Sequence, residues 1–248
     1  MPFEIGIRGC IVEDSDKWIY DWFGETAVCP EDVRKVLSEA RGQPVNVLIN
    51  SYGGSVFAGS EIYTNLMAYT GEVNIRIDGL AASAASVVAM GGRCAMSPTA
   101  QMMVHNVSTS VAGDYRDMDK TSETLRIANQ TIASAYSIKS GMALDEALAM
   151  MDEETWMTAQ EAKDKGLIDE VLFIDEEQRS IFANGGLMNS LKNSAKSLYA
   201  CIPILDKEKM IEAYNARCRR TEKPVDNDDS KSLARAKSKF LNLRRIEE

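Results

Sequence analysis

The chain has one histidine, His105, so any mechanism that moves a proton through an imidazole must use that residue. It follows the apolar run Met102-Met103-Val104, where a strand of an α/β sheet is expected to end and where ligands and catalytic groups gather. Taken alone, a histidine at a loop reads first as a structural residue, and it is the surrounding segments that point to chemistry. Ser83 stands in GLAASAAS, after a strand and at the opening of a helix of small residues. There its hydroxyl can be presented at a turn while the amide of Ala84 faces developing negative charge, a geometry suited to acyl transfer. Small residues also permit close helix packing, a role that Ser86 would fill as well. Upstream, Gly53 and Gly54 in NSYGGSV allow a sharp turn and a close backbone approach to a ligand, and could supply a second amide donor.

The elements that must position these residues can be read from periodicity. PVNVLINS is a β-branched strand, and SVFAGSEIYTNLMAYTG follows with helical spacing of Val56, Ile62, Leu66 and Met67. VNIRIDG is the next strand, and AASAASVVAMGG a short buried helix with a glycine stop. CAMSPTAQMMVHNVS carries a turn at Ser97-Pro98 and a short strand ending near His105. A long helix is expected over about 114–141, with Met118, Leu125, Ile132 and Tyr136 on one side. ALDEALAMMD reads as a further helix, Thr158 with Glu161 as the N-cap signature of the next, and LIDEVLFI as a last strand after Gly166. Strands alternating with helices imply crossovers and a largely parallel sheet, hence an α/β fold. The packed domain is expected at 1–175, a linker at 176–190, and a basic extension, helical or disordered, at 191–248.

Composition excludes several classes. Of 248 residues, 45% are hydrophobic and 26% charged, the profile of a globular protein with an ample core. The sequence lacks an N-terminal signal pattern and a long apolar run, which predicts a cytoplasmic protein without membrane association. Five cysteines without a CxxC pair indicate neither a disulfide framework nor a zinc knuckle. Net charge is −9, yet residues from 187 onward carry 14 Lys+Arg against 9 Asp+Glu, which leaves −14 on the body. An acidic body argues against nucleic-acid binding, and the basic extension against an acidic partner or plain solvent is left open.

Together these segments resemble the proteolytic subunit family of Clp protease, most closely its phage and prophage members of the head-maturation type. INSYGGSVFAGSEIY, IDGLAASAASVVAMGG, MMVHN and TWMTAQEAKDKGLIDEV match four ordered family segments across roughly residues 43–172. The resemblance implies a crotonase-like stacked ββα spiral with the C-terminal extension added to it. It also implies a serine endopeptidase with Ser83 as nucleophile, His105 as general base and the amides of Gly53 and Ala84 as oxyanion donors. The acid counted from the family pattern falls on Glu154, with Asp152 as the alternative. Neither cofactor nor metal is implied. Expected partners are a protein or peptide substrate such as a capsid or scaffold precursor and copies of the chain in a ring with a heptamer favoured, and the activity is either ATP-independent or assisted by an AAA+ unfoldase. The helix near 114–140 resembles the family's contact between rings. Two departures are Tyr52, where the family has proline, and the C-terminal 60 or so residues. Rival readings are an acyl-CoA hydratase or isomerase of the crotonase type, which needs no Ser-His pair, and a non-catalytic capsid-assembly component.

Overall fold

The computed structural model describes residues 3–173 and 207–221. Residues 3–173 form a mixed α/β domain, in agreement with the expected class. β1 (Phe3–Ile11), α1 (Lys17–Phe23), β2 (Ala27–Val28) and α2 (Pro30–Ala40) precede the first strand read from periodicity. β3 (Val45–Gly54), α3 (Val56–Met67), β4 (Val73–Ala82), α4 (Ala84–Ala89), β5 (Arg93–Met96) and β6 (Gln101–Val104) then alternate as expected. α5 (Tyr115–Ser140), α6 (Leu144–Asp152), β7 (Thr155–Thr158), α7 (Ala159–Asp164) and β8 (Glu170–Val171) complete the domain, and α8 (Lys207–Thr221) belongs to the extension.

The main sheet runs β2-β1-β3-β4-β5-β8, all neighbours parallel. β4 has two partners on one side. Asn74–Ile77 pair with β5, and Leu80–Ala82 pair with β6, also in parallel. β6 in turn pairs with β7 antiparallel, Val104 opposite Thr155. The sheet is thus largely parallel, as expected, with one antiparallel pair whose cause is connectivity: α5 and α6 carry the chain across β6, so β7 returns beside it in the opposite sense.

Local rules explain several boundaries. Ser55 caps α3 by accepting from the Ala58 amide at 3.2 Å. The expected box at α7 is present, with Thr158 Oγ1 accepting from the Glu161 amide and the Glu161 carboxylate accepting from the Thr158 amide at 3.0 Å. The last strand is shorter than LIDEVLFI suggests, being confined to Glu170–Val171, because only β5 flanks it there. On α5 the expected stripe divides. Ile132 and Tyr136 are buried, whereas Met118 is exposed, since only the C-terminal half of the helix lies against the core. The core is built from branched and thioether side chains such as Ile7, Ile49, Ile77, Met96 and Met102, all fully buried. The expected linker at 176–190 lies outside the described residues, as do 191–206 and 222–248.

One ion pair closes the sheet edge onto α5. Lys139 Nζ donates to Asp169 Oδ2 at 2.6 Å and to the Gly92 carbonyl at 2.9 Å, while the Cys94 amide donates to Asp169 Oδ2 at 2.7 Å. Desolvation alone would raise the Asp169 pKa, but the bonds from Lys139 and Cys94 hold its carboxyl below the usual carboxylate value. A carboxylate with a depressed native pKa stabilises the fold above the unfolded-state value and ceases to do so as pH falls through the native one. Asp169→Asn should therefore lower the midpoint of thermal unfolding at pH 7, and the gap to wild type should narrow as melts are repeated at pH values descending below about 4.

Candidate active site

The partner change of β4 builds the site. Ser83 follows the end of β4 and His105 follows the end of β6, so two neighbouring parallel strands deliver these residues side by side. Glu154 precedes β7 and lies one step beyond the Val104–Thr155 ladder pair, which brings it next to His105. Residues 22 and 49 positions apart in sequence from His105 thus converge through strand register.

Ser83 has φ 54° and ψ −127°, a backbone region that costs a non-glycine residue on the order of 1–3 kcal/mol. Its amide donates to the Met103 carbonyl at 3.0 Å. Its own carbonyl accepts from the Ser86 amide at 2.9 Å and the Ser86 hydroxyl at 2.6 Å. The Ser86 hydroxyl proton is thereby committed, so the fully buried Tyr136 hydroxyl, 2.8 Å away, donates to Ser86 Oγ. Burial also drives the Tyr136 pKa upward, which keeps that proton in place. A chain of donors from α5 pins the turn that holds the serine in its strained conformation.

His105 Nε2 lies 2.8 Å from Ser83 Oγ. Burial pushes the His105 imidazole below its ordinary value, and the charge of Glu154 acts against that shift. The ring is therefore neutral near pH 7, with Nε2 able to accept from the serine hydroxyl. Asp152, the other acid considered, accepts from Asn106 Nδ2 at 2.8 Å.

A cavity of about 340 Å³ opens at this point, lined by Ser83, Ala84 and His105, with Gly54, Tyr52 and Tyr20 on other sides. The glycine pair is required sterically. A Cβ on Gly53 would lie 2.7 Å from the Ala82 carbonyl oxygen and 2.8 Å from Ser83 Cβ, and one on Gly54 would lie 2.0 Å from the Ile11 carbonyl oxygen. The Gly53 amide, expected at the oxyanion position, donates to Ser51 Oγ at 3.0 Å, and Gly54 is the glycine that lines the cavity. A GG pair does not disclose which of its two amides turns inward, because both have positive φ. Cys10, Val12 and Tyr20 also line the cavity and come from segments not read as functional in the sequence. Among the described residues, no group of three or more His, Cys, Asp or Glu side chains is placed to hold a metal ion, and no helix is long and apolar enough to cross a membrane.

A serine and a histidine in hydrogen-bond contact at the ends of parallel strands, with amides of an adjoining helix start and glycine turn, form the kind of constellation found in α/β hydrolytic sites. The family model for Clp protease matches residues 34–175, and the chain belongs to that family. It is 36% identical over 135 residues to an ATP-dependent Clp protease proteolytic subunit of Bacteroides fragilis, covering 53% of this chain and 65% of that protein. It is 35% identical over 137 residues to the proteolytic subunit 1 of Chlamydia abortus, covering 53% and 71%, and 29% identical over 153 residues to that of Salinibacter ruber, covering 60% and 66%. The chain thus spans just under two thirds of the Bacteroides relative.

The donor chain behind Ser83 predicts an unequal pair of substitutions. Ser86→Ala removes a bond to the Ser83 carbonyl and leaves the buried Tyr136 hydroxyl without its acceptor, and should cost about 1–3 kcal/mol. Tyr136→Phe removes only the outer bond, and should cost about 0.5–1.5 kcal/mol. Urea unfolding of the two variants checks the order.

Proposed function

We propose that this chain is a serine endopeptidase in which Ser83 is the nucleophile, His105 the general base and Glu154 the acid that orients it. The observation that carries this reading is the 2.8 Å contact between His105 Nε2 and Ser83 Oγ inside the cavity. Ser83 Oγ attacks the scissile carbonyl as His105 Nε2 takes its proton, and the imidazolium then gives that proton to the leaving amine. A water activated by the same imidazole hydrolyses the acyl-enzyme and restores both groups. Glu154 stabilises the imidazolium across the β6–β7 edge, a role supported by its charge acting on His105. The oxyanion is held by the Ala84 amide and one amide of the glycine turn, which we assign to Gly54 because the Gly53 amide is engaged by Ser51. Each such donor is worth about 2.7–4 kcal/mol in other hydrolases.

The Ser83–His105 contact favours peptide hydrolysis over the acyl-CoA and scaffold-only readings, neither of which uses it. The natural substrate proposed is a phage capsid or scaffold precursor, on the resemblance of the four segments to head-maturation members of the family. Assembly into a closed ring, with the heptamer favoured, is supported by exposed apolar residues Tyr115, Met118 and Ile127 on α5. The relatives named as ATP-dependent support an AAA+ unfoldase as a further partner. Co-expression of the candidate capsid precursor with wild type should give a shortened product, and co-expression with Ser83→Ala should leave it full length.

The pH profile separates the two acids. A general base must be neutral, so the acid limb of kcat/KM for a small peptide should have its midpoint below about 6.5, the ordinary histidine value. Glu154 is the group that raises the His105 pKa. Glu154→Gln should therefore shift the limb to still lower pH while reducing kcat, and Asp152→Asn should leave the midpoint in place. A fluorophosphonate should label Ser83 in wild type and fail to label His105→Ala at neutral pH.

A further inference from the structure

Among the elements outside the family match at 34–175 are α1 and α8, and these two pack against each other. Met210 of α8 is fully buried in a cluster with Ile19, Tyr20 and Phe23 of α1. Tyr214 meets Trp18 edge-on at 4.9 Å and Trp22 at 5.3 Å between ring centroids, and the Arg217 guanidinium sits 5.3 Å over the Trp22 ring. Aromatic pairs and a cation over an indole add to the area buried by such a contact.

The same cluster has a second face. Cys10, Val12 and Tyr20 are members of it, Tyr52 packs against it, and all four line the cavity that contains Ser83 and His105. Cys10 Sγ donates to the Tyr20 hydroxyl at 3.8 Å and is hydrogen bonded to Tyr52 as well. Burial raises the Cys10 pKa, so this thiol is a neutral wall group and not a second nucleophile. Among the described residues, none of α8 lines the cavity. The helix therefore stands behind the wall and does not plug the opening.

We propose that α8 is a positioning element for the substrate: by packing on α1 it fixes Tyr20, Tyr52 and Cys10 as one wall of the peptide-binding cavity. Tyr20, standing on a two-turn helix with nothing behind it, would move and leave Cys10 on β1 and Tyr52 on β3 without the neighbour they pack on, so the wall would pay ordering entropy on binding a peptide. With α8 in place that cost falls at folding and not at binding. The effect of losing α8 contacts is thus expected in KM and not at the reacting atoms.

The proposal rests on the serine-peptidase reading, and the test separates the two. Full-length wild type, Tyr214→Ala, Met210→Asp and Met210→Leu are compared for cleavage of an internally quenched peptide and for the rate of fluorophosphonate labelling of Ser83, a small probe that needs no peptide wall. Tyr214→Ala and Met210→Asp should raise KM by about fivefold or more with kcat within about twofold, and Met210→Leu should restore the wild-type value. Their labelling rates should equal that of wild type. An unchanged KM in Tyr214→Ala, which removes ring contacts without burying a charge, overturns the proposal even if Met210→Asp does not fold. A parallel loss of kcat and labelling overturns it too, since α8 would then serve overall stability. Absence of labelling in wild type defeats the peptidase reading itself, and the positioning role with it.

Discussion

The arrangement depends on β4, whose one edge is shared between β5 and β6. With β3 along the other edge, the strand has no free side, so a change of partner midway forces β5 and β6 to diverge. The C-terminal end of β4 sits at the resulting fork. A fork leaves room between layers where side chains from different strands can meet, and the cavity forms there. Ser83, His105 and Glu154 are each the first residue beyond, or the last before, a strand that takes part in the fork. The site is therefore a property of the sheet's branching, and its side chains inherit their spacing from the backbone ladders of β4, β6 and β7.

Strain and burial at this point work in opposite senses. The conformation of Ser83 costs free energy, and the bonds from Ser86, Tyr136 and to Met103 offset it. Burial lowers the His105 pKa, which keeps the imidazole neutral but also weakens it as a proton acceptor. Glu154 acts against that weakening through its charge. A carboxylate at the edge of β7 thus tunes a group already positioned by β6, and the two effects can vary independently because they come from different strands.

What could be read from the sequence was what local rules govern. Ser83 between a strand and a run of small residues, the Thr158 helix start, and the order of strands and helices all follow from neighbours within about four positions. What could not be read depends on register between distant segments. The antiparallel return of β7 beside β6, which turns Glu154 toward His105, follows from where α5 and α6 deposit the chain. The choice between Gly53 and Gly54 depends on Ser51 capturing one amide. β1 carried a usable signal, since Ile5 and Ile7 alternate with exposed Glu4, Gly6 and Arg8. α1, in contrast, leaves Trp18 and Trp22 without an evident place until α8 packs on them.

The charge asymmetry takes on a different meaning beside these contacts. The extension carries net positive charge and the body net negative, which invites an electrostatic account of how the two associate. Yet α8 meets the domain through buried Met210, partly buried Ile211 and Ala213, and the ring of Tyr214, joined by a cation over an indole. Salt screens exposed charges beyond about 8 Å at physiological ionic strength but leaves apolar burial in place. Glu208 and Lys209 stay exposed, while Arg217 is brought over the Trp22 ring. Attachment of α8 to the α/β domain thus rests on apolar and aromatic contact, with Glu208 and Lys209 outside the buried cluster.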